Sequence, residues 1–226
     1  MSILVIGFLI LGALMQVCAE GGWANSTLEM MKLNVSYKLI LLFHLIVAGW
    51  SLSFHSAVAA DEAHIWKLLQ GEGHFALLRH ALAPGTGDPA EFSLKDCDTQ
   101  RNLSEEGRGQ ALQIGERFRD NGVDAAEVYS SQWCRCLETA ELLKLGAVQP
   151  LKTINSFYQN FERKEKQTAT LESWIRSQSL EKPIILVTHQ VNITALTGEL
   201  AASGELVIVR VSDGAPLKVV GKLQTD

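Results

Sequence analysis

The sequence predicts an α/β protein with a mostly parallel central sheet and an antiparallel edge, on three observations. Two uninterrupted apolar runs, Phe75 to Leu78 and Pro183 to Val187, read as strands buried on both faces, and each runs on into a histidine. Stretches with helical apolar spacing lie between the candidate strands, as the crossovers of a parallel sheet require. Near the end, Leu206 to Val209 and Leu217 to Leu223 flank the turn dipeptide Asp213-Gly214, the pattern of an antiparallel pair at a sheet edge.

Of 226 residues, 47% are apolar and 20% charged, enough for one substantial core. A formal charge of -5 and the lack of any Lys/Arg-rich run exclude a nucleic-acid surface. Residues 1–60 differ from the rest. An apolar run from Ile3 to Val17 is followed by Lys32 and Lys38, a second apolar run from Leu39 to Val47, and the small residues Ser56-Ala57-Val58-Ala59-Ala60. Basic start, apolar middle and small-residue end predict a secretory signal peptide, cleaved near Ala59 or Ala60. Methionines at 30 and 31 predict that translation starts there, and the folded domain is expected over 61–226. The expected location is periplasmic or secreted. The competing reading is an uncleaved anchor that touches the membrane only through this leader, with the domain outside the cytoplasm; both apolar runs are short or interrupted for a span.

Within the domain, Ala63 to Leu69 has helical spacing. Phe75 to Leu78 is the first strand, bounded by Gly71 and Gly73 before it and by Pro84, Gly85 and Gly87 after it. The Pro-, Gly- and Asp-rich stretch 81–96 predicts a loop over the strand ends that shapes the entrance and selects the substrate. Ser104 is a candidate cap with Glu105 and Glu106 in the first turn, followed by Ala111, Ile114, Gly115 and Phe118 at helical spacing and Gly122 beyond the end. Glu127 to Ser130 predicts the next strand, Ser131 a cap, and Trp133 to Leu145 a helix. Leu171, Trp174 and Ile175 mark a further helix, and Val191 to Gly198 the last one. Phe157 to Gln167 has no clear period and is expected at the pocket rim.

Three strand ends thus offer Arg79-His80, Ser131 with Arg135, and Thr188-His189. Two histidines and two arginines with no carboxylate embedded among them suit a dianion, since guanidinium forks match phosphate oxygens. A neutral imidazole is an apt nucleophile for a phosphate monoester, which repels anions. His80 is the candidate nucleophile. Arg79, Arg135 and His189 would hold the equatorial oxygens, and the helix after His189 would add backbone N–H groups. These arginines supply the positive field, so no metal or other cofactor is expected.

Arg79-His80-Ala81, the set Ser131, Arg135, Thr139 and Ala140, the pair Thr188-His189 and the segment Asn102 to Gly107 with Gln110-Ala111 resemble the histidine phosphatase superfamily, the phosphoglycerate-mutase-like phosphatases, over about residues 74–210. The resemblance implies a three-layer α/β/α sandwich and a phosphohistidine formed on the first histidine. It also implies a carboxylic acid that protonates the leaving group, in the region after the second arginine. Glu162, within Glu162-Arg163-Lys164-Glu165-Lys166, is the candidate, and Asp88 the weaker alternative. Ala81 and Gln190 stand where the family commonly has glycine.

The reading is an exported, metal-independent phosphomonoesterase acting on a small phosphorylated substrate. Among exported relatives the lipopolysaccharide core heptose phosphate phosphatases are the nearest kind, which points by analogy to a sugar phosphate of the cell envelope. The alternatives are a non-catalytic phospho-ligand-binding module of the same fold and, if the leader is no export signal, a protein phosphohistidine phosphatase. Cysteine usage fits export: Cys97 is expected to pair with Cys134 or Cys136, with three free thiols as the competing reading. The spacing fits no common zinc site.

Overall fold

A computed structural model describes Ile40 and residues 61–224. The chain divides into two units, Met1–Ala57 and Val58–Asp226, and the second holds every described residue except Ile40. The leader, its start at Met30 or Met31 and its cleavage at Ala59 or Ala60 therefore lie outside the described residues. Among the described residues, no helix is long and apolar enough to cross a membrane.

The domain opens with a helix, α1, over 61–70, followed by β1 (His74–Arg79). The loop over the strand ends contains a 3-10 turn at Cys97–Thr99 and leads into α2 (Glu105–Asp120), then β2 (Glu127–Ser130) and α3 (Cys134–Leu143). A short β3 (Val148–Pro150) precedes 3-10 turns at Lys152–Ile154 and Phe161–Arg163. Then come α4 (Lys164–Arg176), β4 (Ile184–Thr188), α5 (Gln190–Thr197), β5 (Leu206–Arg210) and β6 (Lys218–Leu223).

The six strands form one sheet in the order β3-β2-β4-β1-β5-β6. The pairs β1/β4, β2/β4 and β2/β3 are parallel, while β5 runs antiparallel to both β1 and β6. The alternation along β1 shows the layering. Ala76 and Leu78 pack with Trp66, Phe118 and Leu143 of α1, α2 and α3 on one face; Phe75 and Leu77 pack with Leu171, Ile175 and Ile193 of α4 and α5 on the other. This is the predicted three-layer sandwich with an antiparallel edge.

Local signals explain most boundaries. Ser104 caps α2, its hydroxyl accepting from Gly107 N–H at 3.0 Å, and Glu105 and Glu106 favour the same end electrostatically. Gly115 is required by packing: a Cβ there would stand 2.2 Å from Leu143 O, so its absence lets α2 and α3 close on each other. Ser131 does not cap α3 as expected. The helix begins at Cys134 with Trp133 at the cap position and no side-chain bond there. Gln100 takes that part from outside, its Oε1 accepting from Cys134 N–H at 3.0 Å. The strand β3 went unpredicted because three residues at a parallel edge carry no period of their own.

Candidate active site

Strand pairing creates the site. β1 and β4 are parallel neighbours in a register that sets Arg79 opposite Thr188, so the next residue of each strand end is a histidine beside a histidine. The rings of His80 and His189 lie 5.5 Å apart, edge to face. His80 is fixed on both sides: its N–H donates to Thr188 O at 3.0 Å and its carbonyl accepts from Gly204 N–H at 3.3 Å.

The ring of His80 is buried, and its Nδ1 lies 2.8 Å from Ala81 O, an acceptor only. Nδ1 therefore carries the proton, and Nε2 keeps the lone pair. Burial first, then the charges of Arg135, Arg101 and Arg79, outweigh the Ala81 carbonyl and push the pKa of His80 down to about 3. It is a neutral imidazole at any ordinary pH. His189 is neutral too, its pKa lowered well below the usual value by burial, then by His80 and the arginines. Its Nε2 lies 2.8 Å from Ser131 Oγ, which is also within 3.3 Å of Asn155 Oδ1. The hydroxyl predicted to cap a helix thus orients a site histidine instead.

The arginines come from different elements. Arg79 closes β1 and donates from Nη1 to Ala201 O at 2.8 Å. Arg135 sits in the first turn of α3 with its side chain 3% exposed. The Thr139 hydroxyl locks that turn to the nucleophile's strand, donating to Arg135 O at 2.6 Å and accepting from Ala81 N–H at 3.1 Å. Both guanidinium Nε atoms, of Arg79 and of Arg135, are buried and have no hydrogen-bond partner. An orphaned buried donor is costly, and two guanidinium groups lining one pocket with the neutral His80 ring suit an anion.

A carboxylate does enter the site, against the expectation that none is embedded there. Asp88, with its side chain 8% exposed, pairs with Arg135: Oδ1 accepts from Nη1 at 2.7 Å and Oδ2 from Nη2 at 3.0 Å. Oδ1 also accepts from Arg101 N–H at 3.2 Å and Oδ2 from Trp133 Nε1 at 3.0 Å. Burial alone would raise the pKa of Asp88; the Arg135 fork, with Trp133 and the Arg101 amide, wins and holds it below the usual carboxylate range. Asp88 occupies the Nη1/Nη2 edge of Arg135.

These groups floor a pocket of about 410 Å³. Its walls are Gly85 to Asp88, Phe92, Leu94, Arg101 and Trp133 on one side and Ser156, Tyr158, Gln159, Asn160 and Arg163 on the other. The two loops come together at Gly87, where a Cβ would stand 3.5 Å from Gln159 Nε2 and 3.6 Å from Tyr158 Cε1. Cys97 and Cys134 form a disulfide, which ties the first loop to the start of α3 one residue before Arg135. Cys136 stays a free thiol, buried, its pKa pushed up to about 12 chiefly by burial, so it is protonated and unreactive.

Four residues singled out in the sequence, Arg79, His80, Arg135 and His189, are brought together. Glu162 is not: it is exposed in the 3-10 turn Phe161–Arg163 and forms no part of the pocket wall, and Lys164, Glu165 and Lys166 at the start of α4 are exposed with it. Asp88 is in the pocket, paired with Arg135 and accepting four hydrogen bonds. Arg101 and Trp133 went unpredicted in the site because neither ends a strand; the signal available was their adjacency to the Asn102-Leu103-Ser104 and Arg135 motifs.

Residues 75–169 match the family model described as the histidine phosphatase superfamily (branch 1). No curated protein matches the chain significantly. Among solved structures the chain is similar to the product of the open reading frame Rv3214 of Mycobacterium tuberculosis, at 14% identity and a TM-score of 0.51, over 66% of this chain and 95% of that chain. YhfR of Bacillus stearothermophilus is 16% identical with a TM-score of 0.50, over 65% of this chain and 95% of that one. A phosphoserine phosphatase from Entamoeba histolytica is 14% identical with a TM-score of 0.49, over 67% and 97%. At these identities the likeness is one of fold.

Proposed function

We propose that the folded domain is a histidine phosphatase, on the match of residues 75–169 to that family's model, and that it is a phosphomonoesterase that works without a metal and forms a phosphohistidine on His80. One observation carries this reading: a buried neutral imidazole, its Nδ1 committed to Ala81 O and its Nε2 keeping the lone pair, in a pocket that Arg79 and Arg135 also line. In the first step Nε2 attacks phosphorus in line, the N–P bond forms and the bond to the leaving oxygen breaks. The guanidinium groups of Arg79 and Arg135, which line the pocket beside His80, meet charge on the equatorial oxygens, and being fixed beforehand they stabilise the transition state without reorganising. His189 supplies a further neutral contact held by Ser131. Water then attacks the phosphohistidine, the P–N bond breaks and its electron pair returns to Nε2. The arginines provide the positive field that a metal ion supplies elsewhere.

The substrate in this reading is a small phosphorylated molecule, and a cell-envelope sugar phosphate is the class that the sequence resemblance suggests. We also propose export, to the periplasm or beyond, by a leader in residues 1–60; the Cys97–Cys134 disulfide supports an oxidising compartment.

The test is hydrolysis of p-nitrophenyl phosphate by the full chain, with and without EDTA, beside His80→Ala. EDTA-resistant turnover that the substitution lowers by at least about 10,000-fold is expected, with an acid-labile phosphoenzyme trapped only in the parent. A folded parent that binds phosphate and turns nothing over would instead be a phospho-ligand-binding module.

A further inference from the structure

Among the described residues, Asp88 is the one carboxylate on the pocket wall, and its four acceptor positions are all taken. A proton on either oxygen would face an N–H already pointing at it. The enzyme therefore brings strong donors to the phosphate and no carboxylic acid to the leaving oxygen. The pocket wall above the phosphate carries three aromatic rings, Phe92 and Trp133, 5.6 Å apart, and Tyr158, beside the polar side chains of Arg101, Ser156, Gln159, Asn160 and Arg163.

We propose, on the basis of the phosphohistidine reading above, that the substrate is an aryl phosphate, whose phenolate departs without a proton from the protein while its ring lies against Phe92, Trp133 and Tyr158. The balance is simple. The N–P bond forms as the P–O bond to the ring oxygen breaks, the phenolate carries away the electron pair, and it is protonated by solvent. Water releases phosphate from His80 and the proton lost by that water passes through phosphate to solvent. A sugar alkoxide is a far poorer leaving group under these conditions, so the envelope sugar phosphates become the losing class. Asp88 acts as a positioning residue: it holds Arg135 by the Nη edge and so fixes the guanidinium in the pocket wall.

The measurement is kcat/KM for a series of substituted phenyl phosphates beside β-glycerophosphate and glucose 6-phosphate, with the full chain, Asp88→Asn and Tyr158→Phe. The expected result is a steep fall, approaching tenfold per unit of leaving-group pKa, with the alkyl phosphates slowest. A shallow slope, or alkyl phosphates as fast as phenyl phosphate, overturns the inference while leaving the phosphohistidine reading intact. Loss of all turnover, p-nitrophenyl phosphate included, overturns both. Asp88→Asn should lower aryl and alkyl substrates by the same factor and raise KM; a loss confined to alkyl phosphates would make Asp88 the acid and sink the proposal. Tyr158→Phe should leave the slope unchanged, and a steeper slope would assign the proton to Tyr158. Acetyl phosphate, which has an acidic leaving group and no ring, should be at least tenfold slower than phenyl phosphate, and equal rates would remove the ring from the argument. O-phosphotyrosine and a phosphotyrosyl peptide separate the two sources of this chemistry, a free aryl phosphate or a protein side chain, and turnover of either supports the proposal.

Discussion

His80 and His189 emerge from paired strands in the middle of the sheet, whereas Asp88, Phe92 and Tyr158 emerge from loops that cross above them. On the floor, backbone ladder bonds and a core packed on both faces hold the two histidines in place. The rim is held by other means: the Asp88–Arg135 ion pair, Arg101 Nε donating to Gly87 O at 2.7 Å, and the Cys97–Cys134 disulfide. In the proposed reading, chemistry sits on the part fixed by the sheet and selection on the part held by a few specific contacts. Arg135 belongs to both, since it lines the pocket beside His80 and clamps the rim through Asp88.

Arg135→Met should therefore do the most damage. It removes a fixed donor, lowering kcat by about 1,000-fold on the scale of losing one transition-state contact. It also strands Asp88 without its counter-ion, at about 3–5 kcal/mol of stability. A urea titration should show that adding Asp88→Asn recovers part of that stability and none of the activity; recovery of neither would mean that the ion pair does not hold the rim.

Acid should act on the floor next. His80 binds a proton below about 6.5 in the unfolded chain but only near about 3 when folded. Between those values the unfolded chain holds more protons, so stability falls as pH is lowered through this window. Urea midpoints at pH 7, 5 and 4 should decrease in that order, and His80→Ala should flatten the decrease. Turnover should show no loss of activity from protonation of His80 near pH 6.5.

Breaking the rim's covalent tie is expected to separate stability from chemistry. Cys97→Ser with Cys134→Ser opens a bridge between residues 37 apart and should cost about 2–4 kcal/mol, while raising KM more than it lowers kcat. A fall in kcat with unchanged KM would show that the disulfide supports the floor. Gly87→Ala is smaller still. The φ of +72° strains an L residue by about 1 kcal/mol, and the added methyl presses on Tyr158 and Gln159, so KM should rise several-fold. Glu162→Gln should leave kcat/KM for every substrate within about twofold, as a surface change does; a large loss would return Glu162 to the chemistry.

By itself the sequence determined the elements and the four residues of the floor. Buried strands read as unbroken apolar runs, and a site built at strand ends inherits their sharp boundaries: Arg79, His80, Thr188 and His189 each sit where such a run stops. The antiparallel edge announced itself through Asp213-Gly214, and α2 through Ser104 and its acidic first turn. Tertiary structure alone decided that β1 and β4 are neighbours in a register that sets histidine beside histidine. It decided that Ser131 serves His189 rather than a helix end, that Cys97 pairs with Cys134, and that Glu162 faces solvent. It also carried Asp88 across 47 positions of sequence to saturate itself on Arg135. The physical reason is common to these cases. Strand and helix patterns come from local periodicity, whereas the partner of a loop carboxylate or a hydroxyl is whichever group the packed sheet brings within hydrogen-bonding distance.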